Sequence, residues 1–254
     1  MTSESRATHP FPRRFGRVLV VAAHPDDAEF GFGATVARFV DEGTDVTYLV
    51  VSDGSQGGED PAEPAADLTA TRYAEQRDAA KVLGVTEVSF LGFPDGALTD
   101  GPDLRKALAR EIRRYRPDLV LTHNPLRSLQ FPIGASHPDH LAVGEATLNA
   151  VFPFARNPRA FPELLTEGFA THRVAEVWVP GYEHTDLLID VDHTAERKVE
   201  AVLAHRSQFR ESADPRADVA WVTERMRGYG RTLGCEFAEG FKRIVIEPVS
   251  DDPA

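Results

Sequence analysis

Between Val18 and Gly33 the chain runs Val-Leu-Val-Val-Ala-Ala, then His24-Pro25-Asp26-Asp27, then Ala28-Glu29-Phe30-Gly31-Phe32-Gly33, and no other stretch restricts the fold so tightly. An unbroken apolar run, closed by proline and followed by glycines and a helical pattern, is what a central parallel strand of an α/β sheet looks like. In such sheets ligands sit beyond the carboxyl ends of the strands. His24 and Asp27 are three residues apart, so one turn of chain brings an imidazole nitrogen and a carboxylate oxygen to the same point. Both are zinc ligand types. Asp26, between them, points elsewhere and is left as a base toward a water at the metal.

A chain of 254 residues is long enough for one large α/β domain and short for two. The expected organisation is a lead-in over 1–14 and a single domain over 15–250. Within it, residues 15–152 form a Rossmann-like core and residues 153–250 a C-terminal part covering the pocket. The formal net charge of -12 argues against a nucleic-acid partner and an anionic membrane surface, both of which need a basic face. Cys235 is the single cysteine, which excludes an intramolecular disulfide framework and any multi-cysteine zinc site. A metal here must rely on histidines and carboxylates, and the cysteine usage fits a reducing cytoplasm. Met1 to Arg14 is polar with no apolar core segment, so it reads as a disordered lead-in, not as a signal peptide or anchor.

Taken in order, Thr35–Val40 reads as a helix stopped at Gly43, and Val46–Val51 as a second strand emptying into a Ser52–Gly58 loop that forms a pocket wall. Glu59–Asp67 is polar and irregular. Leu68–Leu83 reads as a helix closed by Gly84, Glu87–Leu91 as a strand ending in the turn Gly92–Gly96, and Pro102–Tyr115 as a helix ending before Pro117. Asp118–Thr122 is then a strand that delivers His123 to the rim of the first motif. After the long loop Leu126–Ser136 comes His137-Pro138-Asp139-His140, directly before a helical pattern over Leu141–Val151. Phe152–Arg173 suggests a packed loop excursion that could cap the pocket. Strands over Val174–Val179, Leu187–Val191 and Phe241–Ile246, with helices over Thr194–Phe209 and Asp218–Gly228, complete the pattern.

One histidine at a strand end is ordinarily a hydrogen-bonded structural residue. Two His-centred turns on one rim are a different matter: His24, Asp27 and His140 supply two imidazoles and one carboxylate, a catalytic zinc arrangement with a position left for water. His137, next to Asp139, is expected to be held protonated by that carboxylate and to supply positive charge to an oxyanion. Gly31-Phe32-Gly33 is a weak dinucleotide signal, since the third glycine of the fingerprint falls at Val36 and two carboxylates would face a pyrophosphate. These glycines read instead as a tight turn into the helix. Ser52, Ser55 and Ser136 lack a nucleophile-elbow context, and His193 and His205 read as cap or core residues.

The sequence strongly resembles the LmbE-like, PIG-L family of zinc-dependent N-acetylglucosaminyl deacetylases. The match rests on Ala23-His24-Pro25-Asp26-Asp27 with Ser136-His137-Pro138-Asp139-His140, and on Arg72-x-x-Glu75 with Leu83-Gly84-Val85. Pro94-Asp95-Gly96, Arg116-Pro117-Asp118, and Lys198 with Ala204-His205-Arg206-Ser207-Gln208 extend it over most of the chain. The resemblance implies an α/β Rossmann-like three-layer sandwich with a mostly parallel sheet. It also implies that His24, Asp27 and His140 bind zinc, with ferrous iron suiting the same ligands. Asp26 is then the general base, His137 the oxyanion stabiliser or acid, and Asp139 the residue orienting or charging His137. Arg72 and Asp95 match positions of substrate contact, and His123 stands at a variable pocket position. Two departures bear on this: Gly33-Ala34-Thr35 replaces a pair of glycines before threonine, and Arg127–Ala135 lacks the Gly-rich pattern of the mycothiol-pathway enzymes.

The implied activity is hydrolysis of the acetamide of an N-acetylated amino sugar or glycoside, a small-molecule partner, with assembly into a homo-oligomer left open. Two alternatives stand beside it: a zinc amidase or esterase acting on a non-sugar acyl substrate, and a metal-dependent sugar-binding module without turnover.

Overall fold

Strand β1 (Arg17–Ala22) is buried on both faces. Val18, Val20 and Ala22 enter one hydrophobic core, while Leu19 and Val21 enter the other. An apolar run without polar alternation therefore follows from a strand that has helices above and below it. The structure, a computed structural model, describes residues 9–246.

Around β1 the sheet is completed by β2 (Asp45–Ser52), β3 (Glu87–Phe93), β4 (Leu119–Thr122), β5 (Glu176–Pro180), β6 (Leu187–Asp190) and β7 (Ala238–Val245), in the order β3-β2-β1-β4-β5-β7-β6. The pairs β3–β2, β2–β1, β1–β4 and β4–β5 are parallel, whereas β7 runs antiparallel to both β5 and β6. Strand order reverses between β1 and β4, and a crevice opens at such a switch point. On one face, α1 (Asp27–Asp41), α2 (Ala65–Leu83), α6 (Ala195–Leu203) and α8 (Ala220–Leu233) pack together. On the other face lie α3 (Pro102–Tyr115) and α4 (Pro138–Asn149), and short helices α5 (Glu163–Thr166) and α7 (Pro215–Asp218) complete the set. This is the three-layer, mostly parallel sandwich expected.

Several boundaries differ from the sequence reading in an informative way. Helix α1 begins at Asp27, so Gly31 and Gly33 lie inside it and do not form a turn before it. Phe32 and Ala28 are buried against the sheet, and that burial outweighs the poor helix propensity of two glycines. Helix α4 begins at Pro138, with His137 as its N-cap, which places Asp139 and His140 in its first turn. The helix expected over Thr194–Phe209 stops at Leu203, and a separate 3-10 turn covers Arg206–Phe209. Phe152–Arg173, expected as a possible cap, contributes no lining residue to the two cavities around Asp27 and His140. Arg113 of α3 holds it by donating to the carbonyls of Ala155, Phe154, Asn157 and Ala160. Residues 9–14 of the expected lead-in lie along α1, with Phe11 stacked on Phe39 at 4.2 Å and the His9 N–H bonded to Asp190; residues 1–8 and 247–250 lie outside the described residues.

The loop after β4 is pinned by α4 at one position. A Cβ on Gly144 would sit 2.5 Å from the His123 carbonyl oxygen and 3.0 Å from the Pro125 nitrogen, both backbone atoms. Gly144→Ala should therefore destabilise the fold by about 1–3 kcal/mol through overpacking, although alanine is the better helix former. Denaturant midpoints measure this, and a midpoint equal to or above the parent's would disprove the close contact.

Candidate metal centre and active site

The first motif is built by the exit from β1. Asp26 turns the chain with φ of 104°, in the left-handed region that a non-glycine residue rarely occupies. Its surroundings fix that conformation. The Asp26 N–H donates to Gln76 Oε1 at 2.9 Å, and its carbonyl accepts from the N–H of Glu29 and of Phe30. The turn sends the Asp26 carboxylate to Arg72 and that of Asp27 to His24 and His140.

Asp27 stands between the two motifs. Its Oδ2 lies 3.2 Å from His24 Nδ1, and its Oδ1 lies 3.0 Å from His140 Nε2. Parallel pairing of β1 with β4 brings the second motif to the same edge. At this edge, donor atoms within 4.8 Å of one another are offered by His24, His137 and His140, by Asp27, His123 and His140, and by His24, Asp95 and Asp139.

The chemistry of this donor set fits a divalent cation. His24 Nε2 has carboxylate oxygens of both Asp95 and Asp139 at 3.1 Å, and one N–H cannot satisfy two acceptors. Burial alone would lower the His24 pKa, but the hydrogen bonds and charges of Asp27 and Asp95 outweigh it and push it up to about 11. Burial would raise Asp27, yet the neighbouring His140 holds it well below the usual carboxylate range. His123 is pushed down to about 4 by burial and by His140. It is neutral, and its Nε2 accepts the Ala23 N–H at 2.9 Å. Asp27 Oδ2 approaches that same nitrogen to 3.4 Å, a contact between two acceptors that a cation between the side chains would relieve. Three carboxylates, Asp27, Asp95 and Asp139, thus lie against His24, and Asp27 also against His140, an excess of negative charge that suits a metal.

Asp26 is the exception among these acids. Burial, then the adjacent charge of Asp27, raises its pKa to about 6, with Arg72 acting against them. A carboxylate at that value accepts a proton near neutrality more readily than an ordinary aspartate.

Two of the sequence-based site residues, Asp139 and Arg72, make structural contacts that the sequence did not show. Asp139 does not turn its carboxylate to His137: Oδ2 accepts the Gly96 N–H at 2.8 Å and Oδ1 the Leu98 N–H at 3.1 Å, which ties α4 to the loop after β3. Its link to His137 is its own N–H, which donates to Nδ1 at 3.2 Å. This bond assigns the hydrogen of the neutral ring to Nε2. Burial and the charges of His24 and His140 lower the His137 pKa, so the ring is a neutral donor and not the protonated one expected.

Arg72 is the second. Buried, it donates from Nη2 to the Pro25 carbonyl at 2.7 Å and to Asp26 Oδ2 at 3.2 Å, and from Nη1 to the Gly54 carbonyl at 2.9 Å. It clamps the β1 and β2 loops together and fixes the Asp26 carboxylate. Arg72→Lys, which cannot reproduce the planar fork, is expected to lower kcat about a hundredfold through misplacement of Asp26 with little change in KM. A raised KM at unchanged kcat would instead mark Arg72 as a substrate contact.

Asp95 is held by the Gln56 N–H at 3.0 Å and by His24, and burial notwithstanding, those bonds keep its pKa below the usual value. A polar cavity of about 360 Å³ is lined by His24, Asp26, Asp27, Gln56, Arg72, Asp95, His137 and His140. His123 lines a neighbouring cavity. Sequence reasoning missed the support behind Asp26: Gln76 Nε2 donates to fully buried Glu29, which also pairs with His205 Nε2 at 3.1 Å. The adjacency of Gln76 to Glu75 and the His205–Gln208 piece were the available signal, since Ser207 Oγ donates to Glu75 at 2.6 Å and the two pieces meet in space.

Fold and site together define the class: an α/β protein with the donor set of a hydrolytic metal centre at the switch point of its sheet. The chain belongs to the PIG-L family, described as GlcNAc-PI de-N-acetylase, whose profile matches residues 19–151. It is 31% identical over 228 residues to a diacetylchitobiose deacetylase of Thermococcus kodakarensis, covering 90% of this chain and 83% of that one. It is 30% identical over 198 residues to a probable N-acetyl-alpha-D-glucosaminyl L-malate deacetylase 2 of Bacillus anthracis, covering 76% and 81%. The solved structure of N,N'-diacetylchitobiose deacetylase from Pyrococcus horikoshii, complexed with its inhibitor MPG, superimposes with a TM-score of 0.83 at 27% identity, over 93% of this chain and 88% of that chain. Among the described residues no helix is long and apolar enough to cross a membrane.

Proposed function

We propose that the protein is a zinc-dependent N-deacetylase that releases acetate and a free amine from an N-acetylglucosamine-type sugar or conjugate. The observation that carries this reading is Asp26, a buried carboxylate with its pKa raised to about 6, set beside the His24, Asp27 and His140 donors by a strained turn. His24, Asp27 and His140 would hold the cation, which supplies Lewis acidity toward the acetamide carbonyl and makes a water more acidic.

The chain's own residues do the rest. Asp26 takes the proton of the attacking water as its oxygen bonds to the carbonyl carbon. His137, with its hydrogen on Nε2, donates to the oxygen that becomes negative. The C–N bond then breaks as the nitrogen receives the proton held by Asp26, so atoms and charge balance. Arg72 keeps Asp26 aimed throughout.

The test is amine release from N-acetylglucosamine and several of its glycosides by metal-stripped protein, with and without added zinc. Release restored by zinc is expected. Stoichiometric zinc binding with no release from any of these substrates would overturn the proposed substrate class.

A further inference from the structure

On the other flank of Asp27 and His140 lies a second cavity of about 580 Å³, and its walls are apolar: Phe30, Phe32, Phe131, Tyr182 and Trp221 contribute, with Arg225. Phe30 and Trp221 stack with centroids 5.7 Å apart and planes 7° from parallel, while Phe131 and Tyr182 meet at 4.9 Å. Arg225 is fixed by its bond to the Phe30 carbonyl and lies over Trp221 at 5.0 Å from the ring centroid. Trp221 is 49% exposed, a large apolar surface left uncovered beside the reactive residues.

This cavity and the polar one share Asp27, Gly134 and His140. A substrate whose amide sits at those residues therefore extends into both. Hydroxyls match the polar side, with Asp95 and Gln56. The acetyl methyl is about the size of a water molecule, whose share of the liquid is about 30 Å³, and cannot fill the apolar side. We infer that the second cavity receives an apolar group of ring size or larger carried by the amino sugar itself, so that the preferred substrate is a lipophilic or aromatic conjugate and not the free sugar. The inference rests on the proposed amino-sugar deacylation. The group enters as the aglycone or as the acyl substituent.

Gly31 gives a clean probe of the cavity. It lines it from within α1, and a Cβ there meets nothing within 4 Å, so a side chain added there starts in open space. The experiment compares N-acetylglucosamine, its 4-nitrophenyl glycoside and N-benzoylglucosamine on the zinc-loaded parent, Gly31→Leu and Trp221→Ala. At least one substituted sugar should show a KM roughly tenfold or more below that of N-acetylglucosamine, from burial of a phenyl ring. Both variants should lose that advantage while handling N-acetylglucosamine as the parent does. Preference for the glycoside assigns the cavity to the aglycone, and preference for the benzoyl amide assigns it to the acyl group. No preference in the parent, or one that survives in both variants, overturns the inference.

Binding is read separately by quenching of tryptophan fluorescence with the nitrophenyl glycoside, for which buried Trp178 in Trp221→Ala is the internal control. Saturable quenching that is lost in Gly31→Leu, without amine release from any sugar, would leave the cavity standing and remove the deacetylase reading. Release from N-acetylglucosamine without quenching or preference would do the reverse.

Discussion

Asp26→Asn is expected to lower kcat by about a hundredfold or more, the range for loss of a general base, while the protein keeps its metal and its fold. Asparagine preserves the volume and can still accept from Arg72 through its amide oxygen, so the clamp on the β1 loop survives. What disappears is the ability to take a proton. The backbone N–H of residue 26 continues to bond Gln76, because that contact does not involve the side chain. Metal content by absorption spectroscopy and kcat by amine release check the two halves of the prediction. The sign of the pH dependence follows from the same residue. The carboxylate works only when ionised, so kcat/KM of the parent should fall as pH drops through the raised value near about 6. Near-normal turnover by the asparagine variant would remove Asp26 from the mechanism.

Asp27→Ala is expected to abolish both metal binding and turnover, and here the loss should be complete. Asp27 is the carboxylate that meets His24 with one oxygen and His140 with the other. Its removal leaves two imidazoles with no anionic ligand between them. A cation bound to the folded state alone stabilises it by about 2.7 kcal/mol at a hundredfold excess over Kd. The parent should therefore melt at a higher temperature when zinc is added, and the variant should show no such shift. Zinc-dependent stabilisation of Asp27→Ala equal to the parent's would place the cation elsewhere among the donor groups.

The sheet and the two His-centred turns were legible because both leave direct traces in sequence. A strand buried on two faces shows as the continuous run Val18–Ala23, and a metal donor set shows as two short motifs rich in histidine and aspartate. Helix starts were less legible. Gly31 and Gly33 look like a loop, yet α1 runs through them because Phe32 and Ala28 bury against the sheet, a contact no local signal carries. The roles of Asp139 and Arg72 were assigned by proximity in sequence or by resemblance, and their hydrogen bonds run to Gly96, Leu98, Pro25 and Gly54, partners set by the packing of loops from different strands. The aromatic cavity was not visible at all. Phe30, Phe131, Tyr182 and Trp221 come from four separated segments, and only the fold makes them neighbours.

The position of β7 between β5 and β6 bears on how the protein is made. In the described residues β6 pairs with β7 alone, and β7 is synthesised after β6. About fifty residues separate the two strands, so at 5–20 residues per second β6 and the open edge of β5 wait roughly 2–10 s for their partner. During that interval the parallel core and its His and Asp turns are already complete in sequence, but an unpaired strand edge is exposed to other nascent chains. Slower translation of the segment between β6 and β7 should therefore lower the soluble yield more than equal slowing between β1 and β4.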